Sequence, residues 1–152
     1  MTDVALVWNP ATGTADIAIA NGDIVLEHGL QTAVILSLFT DRLAQPGDVI
    51  PDGSGDRRGN WNDLPIASAP DRTTPDFQGS RLWLLDRALQ TQETLNRAES
   101  YALEALAWMK ADGVAGDIKV TASYPQLGWI TLQIDIFQAG GLTTFNFPWQ
   151  NS

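Results

Sequence analysis

Hydrophobic and polar residues change their period along this chain, and each change marks an element. Val4-Ala5-Leu6-Val7-Trp8 reads as a strand closed by Asn9-Pro10. Thr14 to Ala20 alternates through Ala15, Ile17 and Ile19, and Asn21-Gly22 separates it from Ile24-Val25-Leu26. Asn-Gly between two β-like runs is a hairpin signal, because both positions tolerate positive φ. From Leu30 to Leu43 the chain is apolar without Gly or Pro, and Leu30, Val34 and Leu38 repeat every four residues, which predicts a helix. Leu36, Phe39 and Leu43 occupy another side of it, so it needs cover on most faces.

Residues 46–79 break the pattern. Pro46, Pro51, Pro65, Pro70 and Pro75 recur among Gly and Asp, which denies both a helix interior and a central strand. The stretch reads as an extended surface arm within a single domain spanning 1–152. Ser80 to Leu89 then predicts a short helix with Leu82, Leu85 and Leu89 on one stripe. Thr91 is a suitable N-cap for a second, longer helix, whose apolar positions Leu95, Ala98, Ala102, Ala105, Leu106 and Met109 follow a helical face. Gly113 stands where a helix stop belongs.

The last forty residues alternate with period two. Ile118, Val120 and Ala122, then Ile130, Leu132, Ile134 and Ile136, then Thr143, Phe145, Phe147 and Trp149 each share a face. Turns at Pro125 to Gly128 and at Gly140-Gly141 separate them, which predicts a three-stranded antiparallel meander buried on one side. The expected fold class is α+β: an N-terminal β-hairpin, central helices with a Pro/Gly-rich arm, and the C-terminal meander.

Charge narrows the function. The net charge is −9 and the pI near 4.3, which argues against binding nucleic acid, where Lys and Arg neutralise phosphates, and against docking on an anionic membrane. There is no Cys, hence no disulfide framework and no thiolate metal site. The N-terminus has neither the basic nor the apolar region of a signal peptide, and no run approaches the ~18 apolar residues of a membrane span.

Candidate chemistry is sparse. His28 is the single histidine, so a catalytic triad has no second member. Asp48, Asp52, Gly53 and Asp56 fail the ligand spacing of an EF-hand. Gly53-Ser54-Gly55 lacks the following Lys of a phosphate loop. No spacing singles out a pair of acids for hydrolysis. The chain is therefore expected to be no enzyme, with no cofactor, metal or small-molecule substrate. Its Trp residues divide. Trp8, Trp129 and Trp149 fall in predicted strands, and Trp108 lies off the main stripe of the long helix, where it can pack on the helix before it. Trp61 and Trp83 sit beside arginines, in Asp56-Arg57-Arg58-Gly59-Asn60-Trp61 and in Gly79-Ser80-Arg81-Leu82-Trp83-Leu84-Leu85. Arg and Trp are over-represented among residues that anchor protein contacts, so Arg57, Arg58, Trp61, Arg81 and Trp83 are the expected interface residues. The bland alternative for the arginines is surface ion pairs of little energetic consequence, and for Trp61 it is a ring folded back to plug the core.

These two stretches, with Glu93-Thr94-Leu95, the run Tyr101 to Trp108, Asp112-Gly113-Val114-Ala115 and the closing Phe145-Asn146-Phe147-Pro148-Trp149, resemble the baseplate protein family of Mu-like contractile-tailed phages over nearly the whole chain. That family looks like a counterpart of the small wedge protein that initiates the sheath in T-even phages. The resemblance implies a structural role in the virion tail baseplate, built in the host cytoplasm. It implies a larger wedge protein and the tail sheath subunit as partners, with tail tube or hub proteins beside them. Where the family has a second Trp and a Gly near Trp61, this chain has Asn60 and Asn62, and it lacks the Glu-Pro-Arg tripeptide of the T-even initiator. A competing expectation, suggested by six Trp without a catalytic set, is a carbohydrate-binding or host-recognition module; the long helix disfavours it, since small sugar-binding modules are commonly all-β.

Overall fold

The computed structural model describes residues 3–24, 26–27, 30–59 and 79–150; His28, Trp61 and the rest of the arm to residue 78 lie outside them. The described part is α+β. Three small antiparallel pairs come first: β1 (Asp3–Val4) with β6 (Leu26–Glu27), β2 (Leu6–Asn9) with β3 (Thr14–Ile17), and β4 (Ile19–Ala20) with β5 (Asp23–Ile24). The Asn-Gly turn forms between β4 and β5, with Asn21 at φ 53 and Gly22 at φ 79. Both central residues are left-handed, as a two-residue turn requires if its twist is to match the strands.

Helix α1 covers Gln31–Phe39, shorter than the Leu30 to Leu43 expected. It stops because Thr40 turns extended, and its carbonyl accepts from Ser80 N–H at 2.8 Å while Arg42 N–H donates to Ser80 O at 2.9 Å. This short parallel bridge brings Gly79 against the chain. A Cβ there would lie 2.2 Å from Thr40 O, and φ at Gly79 is 89, so both space and conformation demand glycine. Ser80 is buried and its hydroxyl donates to Leu38 O.

The expected helix from Ser80 to Leu89 is instead one 3-10 turn, Leu82–Leu85. Leu82 and Leu85 stand three apart, a spacing that a period of 3.0 satisfies as well as 3.6. Leu89 would have extended the stripe, but it is 80% exposed, whereas all four residues of the turn are buried.

Helix α2 (Gln92–Ala111) matches its sequence signals. The Thr91 hydroxyl accepts from Thr94 N–H, and at the far end Gly113 at φ 76 lets Val114 N–H return to Met109 O at 2.8 Å and Gly113 N–H to Lys110 O at 3.3 Å. These two bonds satisfy carbonyls that the last turn would leave orphaned.

The meander is β7 (Asp117–Ser123), β8 (Trp129–Gln138) and β9 (Gly141–Gln150), in that order. Its inner face, Ile118, Val120, Ile130, Leu132, Ile134, Ile136, Phe147 and Trp149, is buried against α2, α1 and the 3-10 turn in one apolar cluster. Phe145 is only partly covered and Thr143 is exposed, so the start of β9 runs beyond the helices. The opposite face carries Lys119, Thr121, Gln133 and Asp135. Trp108 sits on the α1 side of α2, half exposed, with its Nε1–H donating to Ser37 Oγ at 3.0 Å.

Candidate interaction surface

Arg81 leaves the 3-10 turn and enters a network of charges. Its guanidinium donates to both oxygens of Glu104 at 2.9 and 2.8 Å and to both oxygens of Asp48 at 3.1 Å. Its Cζ lies 4.6 Å from the centre of the Tyr101 ring. Arg42 Nε adds a looser contact to Glu104 at 3.7 Å. The bonds to Glu104 above all, then those to Asp48, raise the Arg81 pKa further above its already high ordinary value, against the opposing effect of burial. A planar fork with five N–H donors suits two carboxylates approaching from different elements. The arginine thus joins the loop after α1 to the middle of α2. Asp48, which in the sequence looked like one loop acid among several, is its second partner.

Residues 44–57 close on themselves. Ala44 N–H donates to Arg57 O at 2.9 Å, and Arg57 Nη2 returns to Ala44 O at 2.6 Å. The next residue, Arg58, takes φ 54, a left-handed conformation uncommon outside glycine. In that conformation its Cζ stands 4.5 Å above the Trp83 ring, and Nη1 is 2.6 Å from Asp41 Oδ2. Trp83 is itself buried, and its Nε1–H donates to Arg42 O at 2.8 Å. Of the five residues singled out in the sequence, Arg58 and Trp83 are therefore in direct contact. Arg57 and Arg81 brace the same loop from its two ends, and Trp61 lies outside the described residues.

The two edges of the meander differ. At β7, Ala122 N–H is taken by Glu99 Oε1 at 3.0 Å and Ile118 N–H by Asp117 Oδ1 at 2.9 Å. At β9, Pro148 has no N–H, and its carbonyl accepts from Trp8 Nε1 at 2.7 Å, so Pro148 faces away from β8. Alternation places Leu142, Thr144 and Asn146 on that same outer side. Among the described residues nothing bonds the backbone N–H and C=O groups of these three. A row of free donors and acceptors on an edge strand is a template for another strand.

The family model described as phage protein GP46 matches residues 30–143, from the start of α1 into β9. The chain belongs to that family. It is 46% identical over 134 residues to the baseplate protein gp46 of Escherichia phage Mu, covering 88% of this chain and 86% of the relative. It is also 37% identical over 153 residues to the Mu-like prophage FluMu protein gp46 of Haemophilus influenzae, covering 98% of each. The sequence points to the arginines and tryptophans, but it carries no local signal for Asp48, Glu104 and Tyr101, which lie 33, 23 and 20 residues from Arg81.

Proposed function

We propose that this GP46-family chain is a structural component of a phage tail baseplate, an inner wedge protein on which the contractile sheath begins. It takes no part in catalysis. Its partners are a larger wedge protein and the first tail sheath subunits, with tail tube or hub proteins adjoining, and it is assembled in the host cytoplasm into the virion. The likeness to the baseplate protein of phage Mu supports the location. The observation that carries the role is the open outer edge of β9 at Leu142, Thr144 and Asn146. An incoming strand would gain main-chain hydrogen bonds there, with the direction and register set by the edge. The contact to the larger wedge protein falls on the side bearing Arg57, Arg58 and Trp83, with Arg81 holding the loop beneath them; Trp61, outside the described residues, is assigned to this contact from the sequence alone.

The test is co-expression with the neighbouring wedge and sheath proteins, using wild type and Asn146→Pro. Pro148 already occupies an outward position in this strand, so a proline two residues earlier removes one outward N–H without taking a bond from β8. The variant is expected to melt within a few degrees of wild type, to bind the wedge protein, and to lose sheath recruitment. Normal sheath recruitment by the variant refutes strand addition at β9. A wild-type chain that joins no baseplate protein and instead binds glycans refutes the baseplate role.

A further inference from the structure

A cleft of about 330 Å³ opens between the turn after β2 and the segment following the 3-10 turn. Trp8, Trp83 and Trp149 wall it, and Asp41, Arg58 and Asp86 supply its charge. The walls are faces rather than donors, because the indole N–H groups of Trp8 and Trp83 are both spent on backbone carbonyls. Trp8 is also fixed by stacking on Phe39 at 3.8 Å between ring centres. The cleft already holds one guanidinium. Arg58 sits over Trp83 and pairs with Asp41, in a backbone conformation that an arginine rarely adopts. This leaves two carboxylates and one cation. Asp86 is half-buried, and among the described residues no cation or hydrogen-bond donor meets its carboxylate. Burial pushes its carboxyl pKa up, and the nearby Asp41 charge adds to that, against the opposing charges of Arg58 and Arg87.

We propose that this cleft seats a basic side chain, arginine or lysine, of an adjoining baseplate chain, with Asp86 as its counter-ion and the tryptophan rings as its walls. The partner's location rests on the baseplate reading; the cleft's preference for a cation does not. Aromatic faces attract cations through their electron-rich centres, and a carboxylate held partly out of water gains most from a cation that replaces its lost solvation. The volume lies near the lower end of the roughly 300–1,000 Å³ typical of small-ligand pockets, which suits a side chain better than a long polymer. The net charge of −9 draws basic surfaces towards the chain at long range.

The test is an NMR titration of the full chain, observing the indole Nε1–H signals, with N-acetyl-arginine amide as the probe. N-acetyl-citrulline amide, of the same shape without the charge, and N-acetylglucosamine serve as comparisons. The arginine probe is expected to shift the Trp8 and Trp83 signals, to bind at least about fivefold more tightly than the citrulline probe, and to weaken at high salt. In Asp86→Asn the preference for arginine over citrulline disappears. Equal response to the two probes, an unchanged preference in Asp86→Asn, or a response to N-acetylglucosamine alone overturns the proposal. In the co-expressed complex, Asp86→Asn is expected to weaken association about tenfold or more. An unaltered affinity there overturns the docking role while leaving the baseplate reading standing. Failure of the wild-type complex to form overturns the baseplate reading, and the probe titration still decides whether the cleft prefers a cation.

Discussion

Replacing Arg81 by alanine removes the one cation placed between Glu104 and Asp48, and the cost can be bounded. The side chains of Arg81, Glu104 and Asp48 are 13%, 26% and 15% exposed. Taking one partner from a fully buried pair costs about 3–5 kcal/mol, because the remaining charge is left without compensation. Exposed pairs contribute only about 0–1 kcal/mol. With water reaching Glu104 and Arg42 Nε 3.7 Å from it, about 2–3 kcal/mol is the expected loss. At about 2–4 °C per kcal/mol for a chain of this size, the melting temperature falls by roughly 4–12 °C. Arg81→Lys keeps the charge but not the fork, and is expected to fall between the two. The assay is thermal unfolding of the isolated chain by circular dichroism, run as a cycle with Glu104→Gln. The double variant should lose at least about 1 kcal/mol less than the sum of the singles, the mark of partners in contact. Strict additivity, or a loss under about 2 °C for Arg81→Ala, would refute the view that this network ties the loop to α2.

Gly79→Ala is expected to cost about 2–4 kcal/mol in thermal unfolding, since its Cβ would meet Thr40 O at 2.2 Å and φ is 89; an unchanged melt would show that the bridge at Ser80 can shift at little cost. Asp86→Asn is expected to raise the melting temperature at pH 7. The folded chain holds the Asp86 proton more tightly than the unfolded one, so the ionised carboxylate opposes folding at neutral pH. That penalty shrinks as the pH falls through the raised folded value and is gone only below about 4, where both forms are protonated and the variant's advantage should have vanished. An advantage that persists unchanged into acid contradicts this assignment.

The parts of the fold legible in the sequence are those whose signals are local. Thr91 and Gly113 bound α2 because the cap and the stop act within one turn, and Asn21-Gly22 turns because both residues accept positive φ. The meander follows from strict alternation between Ile118 and Trp149. What misled was a pattern that two structures satisfy. Leu82 and Leu85 fit a helix or a 3-10 turn, and only the contacts of Ser80 with Leu38 and Thr40 favour the latter. Likewise nothing near Phe39 in sequence announces that α1 stops there, because the bridge ending it comes from forty residues away. The candidate surface was half visible. Arginine beside tryptophan drew attention to Arg58 and Trp83, which do meet, though from separate segments. The acids that give the surface its chemistry are ordinary in sequence: Asp41 becomes distinctive through its pairing with Arg58, and Asp86 through partial burial with no partner among the described residues.

The unlike edges of the meander give the sheet a preferred side. Side chains take the outward N–H groups of Ala122 and Ile118 at β7, so under the proposed strand addition an incoming strand meets fewer free donors there than at Leu142, Thr144 and Asn146 of β9. Strand addition would then favour one edge of the sheet over the other. A partner that adds a strand in this way would meet every copy from the same side.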